Sequence, residues 1–71
     1  MPDDLIPALF ALATVVAERL HDTAIAGQDA GIDPGRAEEL AQRLKQQAAD
    51  IDALASAILV ANDITSSDLR P

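Results

Sequence analysis

IDPGRAEEL, residues 32–40, decides how this chain folds. Asp33 is a natural helix N-cap, because its short carboxylate can accept from first-turn N–H groups that have no partner inside a helix. Pro34 then takes the first helical position, where a missing N–H is harmless and the fixed φ already suits the helix. Glu38 and Glu39 follow near the positive end of the helix dipole. Beyond this start nothing breaks the helical pattern until Asn62 and Asp63, which are expected to end it. ITSSDLRP, residues 64–71, then reads as a short polar tail, either a docking peptide or terminal filler. Thr65 and Asp68 within it have capping-box spacing, enough for one brief further turn.

Immediately upstream, GQDAG at residues 27–31 reads as a helix stop and a loop. The residues before it start with Asp3 or Asp4 as a cap, place Pro7 in the first turn and keep helical periodicity to about Ala26. The expected boundaries are therefore helix 1 at about 4–27, loop 28–32, helix 2 at about 33–62 and tail 63–71, in a single domain. So short a connection folds two long helices back as an antiparallel hairpin. At about 1.5 Å per residue the arms reach roughly 35 and 45 Å, the second overhanging slightly.

Composition agrees with an all-α class. Alanine, leucine and other good helix formers dominate, and Phe10 is the only aromatic residue. The chain has 71 residues and no cysteine, which removes disulfides and thiolate metal sites. A chain of this length lies near the lower limit for a self-sufficient core, so self-association is the expected source of added stability. Twelve acidic against five basic residues give a net charge of −7, which repels phosphate backbones and anionic lipid.

The second helix carries an orderly seam. Ala37, Leu40, Leu44, Gln47, Ile51, Leu54, Ile58 and Ala61 alternate in steps of three and four, as in a coiled coil. Ala41, Ala48 and Ala55 form a small-residue row beside it, and Glu39 and Arg43 have ion-pair spacing. Gln47 in the seam is either a tolerated, partly exposed amide or a polar pin that fixes the helix register.

The first helix differs. Ile6, Leu9, Ala13, Val16, Leu20 and Thr23 make its seam, yet Leu5, Phe10, Leu12 and Ala17 flank it, and Ala8, Ala11, Val15 and Ile25 lie behind. LIPALFALATVVA, residues 5–17, has no charge. It is too short to span a bilayer, which takes about 20 apolar residues. The acids Asp3 and Asp4 stand where a signal peptide has bases, and the basic face of an interfacial helix is missing. A cytoplasmic protein without membrane contact is expected. A helix that is apolar nearly all round must be buried nearly all round, and one hairpin partner covers only one stripe. These residues are therefore expected to meet a second molecule, first of all another copy, giving a homodimeric four-helix bundle.

Few residues suggest chemistry. Glu18 and His21 in ERLHD have the E-x-x-H spacing used by di-metal carboxylate bundles, with Glu38 or Glu39 as conceivable further ligands; the plainer reading is a solvated face. No serine has a histidine near it in sequence, and the glycines at 27, 31 and 35 form no phosphate loop. Ser67-Asp68-Leu69 has the wrong order for the Asp-Ser-Leu motif of acyl carrier proteins. Arg36, Arg43 and Lys45 are the best nucleic-acid patch. A Rop-like dimer of hairpins can bind paired RNA loops, but that is analogy of architecture, and the interleaved Glu38 and Glu39 and the lack of stacking aromatics count against it.

The functional expectation is thus a non-enzymatic adaptor or inhibitor of a larger protein, with no cofactor, whose partners are itself and a second protein. The expected interface residues are Leu5, Leu9, Phe10, Leu12 and Val16 of helix 1, with Phe10 as anchor, and Leu44, Ile51 and Ile58 of helix 2. The alternatives are a structural subunit of a larger helical assembly, a di-metal bundle on Glu18 and His21, and a Rop-like RNA binder.

Overall fold

A computed structural model describes the backbone of residues 4–69 and the side chains of residues 4–65. The order is α1 (Leu5–Ala26) followed by α2 (Pro34–Leu69), of 22 and 36 residues, packed side by side as a helical hairpin. The molecule is a rod with extents of 61 × 15 × 12 Å.

The two helix starts are built differently. At α2 the Arg36 N–H donates to Asp33 Oδ1 at 2.8 Å, and the Ala37 N–H closes the first helical ring on the Asp33 carbonyl at 3.0 Å. This is the cap that the sequence implies. Before α1, Asp4 supplies only its carbonyl, to the Ala8 N–H at 2.9 Å, and its side chain makes no capping bond.

The connection needs no unusual backbone, since no described residue has positive φ. Gly27 stays right-handed (φ −76°, ψ −8°), and its N–H is shared between the Thr23 and Ala24 carbonyls, both at 3.2 Å. Helix 1 therefore ends by tightening rather than by a left-handed glycine cap. Asp29 makes the turn that follows. Its Oδ1 accepts from the Gly31 N–H at 3.0 Å and its carbonyl from the Ile32 N–H at 3.1 Å, the local bonding that suits Asp to turns.

The second helix does not end at Asn62 and Asp63. It runs to Leu69, so the expected polar tail from residue 63 and its separate brief turn are corrected to a continuous helix. Asn and Asp are only mildly poor helix formers, costing well under about 1 kcal/mol each, and no glycine or proline stands there to stop propagation. The Thr65 hydroxyl donates back to the Ala61 carbonyl at 2.9 Å, inside the helix, instead of capping a new one. The Asp68 side chain lies outside the described residues.

The seams pair as their spacing requires. On α1, Thr23 is buried, and Ile6, Leu9, Ala13, Val16 and Leu20 are half-buried. On α2, Leu40 and Ala61 are buried, and Leu44, Gln47, Ile51, Leu54 and Ile58 are half-buried. The half-buried Thr65 continues the row by one step of four. Ala37 departs from it: it is exposed and lines a cavity at the loop end of the hairpin.

The resulting core is one side chain thick. Among the described residues only Leu40, Thr23 and Ala61 are buried, at 3, 6 and 8% exposure, and no side chain is wholly shut off from solvent. Thr23 is accommodated because its hydroxyl donates to the Arg19 carbonyl at 2.9 Å. Gln47 is less well served: its Oε1 is buried and meets no donor.

Candidate interaction surface

Helical periodicity together with one inter-helix contact zone fixes how the two outer flanks are composed. At the loop end, Ala24 of α1 and Ala37 and Ala41 of α2 line the same shallow cavity of about 260 Å³, so they open to the same side of the hairpin. Positions seven apart keep nearly the same orientation on a helix. Ala24, Ala17 and Phe10 therefore form one row, and Ala41, Ala48 and Ala55 form another on the same side. All six are exposed except Ala24, which is half-buried. This face is lined by small apolar residues, with Phe10, 56% exposed, as its large projection from α1.

The opposite flank of α2 is polar over its first half. Arg36 and Arg43 both reach Glu39 Oε1, at 2.6 and 3.2 Å, and Gln46 Nε2 donates to Asp50 Oδ1 at 3.1 Å. These side chains satisfy one another along a single helix. Toward the open end the same flank turns apolar: Leu5 and Leu12 of α1 and Ile64 of α2 are exposed there, and Val60 stands close behind. Leu59 belongs to the alanine side and is 69% exposed.

Of the anticipated interface residues, Leu5, Phe10 and Leu12 point outward. Leu9, Val16, Leu44, Ile51 and Ile58 are half-buried in the seam between α1 and α2. Leu59, Val60 and Ile64 are large exposed apolar residues that the sequence reading did not select. The run AILVANDI, residues 57–64, carried the signal, because consecutive apolar residues necessarily face every side of a helix.

Glu18, His21 and Asp22 share an open groove with Thr14 and Ala17 on the outer side of α1. Glu39 is engaged with Arg36 and Arg43, and no group of three or more His, Asp or Glu among the described residues is disposed to hold a metal ion. The three basic candidates do not form one patch either. Arg36 and Arg43 share a carboxylate on one flank, whereas Lys45 lies on the other side of the helix from them. The chain matches no protein-family model, no curated protein and no solved structure. Among the described residues no helix is long and apolar enough to cross a membrane.

Proposed function

We propose that this chain is a small non-enzymatic protein-binding regulator, an adaptor or inhibitor, that works as a homodimeric four-helix bundle. The observation that carries the reading is the mismatch between a core one side chain thick and the eight large apolar residues left exposed among the described ones, including Leu5, Phe10, Leu12, Leu59, Val60 and Ile64. A soluble chain keeps such surface when another helical surface covers it. Helix-in-groove recognition supplies the mode of action: an apolar helix face laid against a complementary partner.

The test is Phe10→Asp, followed by mass in solution and by recovery of a bound protein from lysate of the source cells. The reading expects at least one of the two to change, and it fails if both are unaltered. A structural subunit is the second reading. It is favoured by apolar side chains on both flanks, which one partner cannot cover at once. Ring-like or higher assemblies in light scattering, in place of a dimer, select it.

A further inference from the structure

We infer that a second copy of this chain packs against the face of Phe10, Ala17 and Ala24 in α1 and Ala41, Ala48 and Ala55 in α2, running antiparallel to the first. Each copy's Phe10 then lies over the cavity at the other's loop end. The inference rests on the proposed self-association and adds the face, the direction and the contact that fixes them.

Area supports a second copy as the occupant. The chain exposes 5306 Å². A compact folded chain of this size exposes about 4,200 Å². The excess of about 1,100 Å² per chain, which the elongated hairpin presents to solvent, is enough to supply the roughly 800 Å² that each partner contributes to a standard stable interface.

Charge selects the face. A chain with net charge −7 can meet its own copy only where acids do not oppose acids. The six residues of the alanine face are uncharged, with Glu18, His21 and Asp22 in the groove at its outer edge beside Ala17, whereas the other flank of α2 carries Arg36, Glu39, Arg43 and Asp50 on the helix itself. Small residues also let helix axes approach to the near end of the usual 8–10 Å.

Shape selects the direction. The cavity places Ala24 level with Ala41. Seven residues further along each antiparallel helix, about 10.5 Å away, Ala17 is level with Ala48, and another seven bring Phe10 level with Ala55. A two-fold axis in the face, perpendicular to the rod and through the Ala17–Ala48 layer, exchanges the outer layers. It brings Phe10 onto the loop-end cavity of the other copy and sets Leu59, the other large side chain on this side, level with Ala37 at the same cavity, twice, as an isologous dimer requires. A parallel arrangement would set Phe10 against Ala55 and leave both cavities empty.

Single-cysteine variants test this in a chain that has no cysteine of its own. The wild-type mass is measured by light scattering over a concentration series. Ala17→Cys, Ala48→Cys and Leu12→Cys are then oxidised with a glutathione couple after circular dichroism confirms helicity. The expected result is twice the chain mass, with covalent homodimers from Ala17→Cys and from Ala48→Cys, whose copies meet across the axis, and none from Leu12→Cys. Phe10→Ala raises the dissociation constant about tenfold or more. A dimer that cross-links through Leu12→Cys, or only between Ala17→Cys and Ala48→Cys chains when mixed, overturns the assigned face or direction while leaving self-association intact. A monomer at every concentration overturns both this inference and the reading beneath it.

Discussion

The two flanks of α2 lie beside the same seam and make opposite demands on their surroundings. On one, Arg36, Glu39 and Arg43 form a closed set, and Gln46 is bonded to Asp50. These groups remain hydrated and paired whether or not anything comes near. On the other, Ala41, Ala48 and Ala55 have no polar group to satisfy, and the apolar surface they share with Phe10 is left to water. The contrast shows that polarity alone does not locate an interaction surface. What locates it is whether the side chains are already complete within their own helix.

That contrast can be broken by exchanging the character of the flanks. Ala48→Glu places a carboxylate in the middle of the small-residue face, where the two-fold axis would set two of them together. Its dimer dissociation constant is expected to rise at least a hundredfold, several kcal/mol, while Gln46→Glu on the polar flank leaves it unchanged; sedimentation equilibrium measures both. The next effect concerns the seam between the flanks. Gln47→Leu removes a buried acceptor without a donor and is expected to raise stability by about 1–3 kcal/mol in chemical denaturation. No gain would show that the amide finds a partner in solution.

Smaller effects belong to the polar flank and its helix start. Asp33→Ala removes the bond to the Arg36 N–H and should cost about 1 kcal/mol, read as a lower melting temperature by circular dichroism. Asp4→Ala, with no capping bond to lose, should cost less, so the pair calibrates the two helix starts. Glu39→Ala deletes both exposed ion pairs of the flank and is expected to cost less than about 1 kcal/mol, vanishing in high salt. A large, salt-independent loss there would mean that the polar flank is not self-contained.

The hairpin was legible because its determinants are local or periodic. Asp33 and Pro34 mark a helix start by hydrogen-bond chemistry that no tertiary contact needs to reinforce, and both seams follow steps of three and four without interruption. The end of α2 was not legible. Asn62 and Asp63 are only mildly poor helix formers, and the buried Ala61 and half-buried Thr65 carry the seam past them, which depends on packing. The same misplacement hid Leu59, Val60 and Ile64, since residues assigned to a helix end and a tail do not read as a helix face. In α1 the apolar excess was visible, but sorting it into seam and surface took the geometry, which turned Leu9 and Val16 inward and left Phe10 and Leu12 outside.

The thinness of the core has a calorimetric consequence. The heat capacity change of unfolding comes mainly from apolar surface newly given to water, about 0.45 cal/K/mol per Å². With only Leu40, Thr23 and Ala61 buried among the described residues, a lone hairpin has less such surface to release than a compact chain of its length. Its stability would vary less with temperature, and its melting would be broader. A sharp endotherm with a large heat capacity step would therefore report surface buried between chains rather than within one.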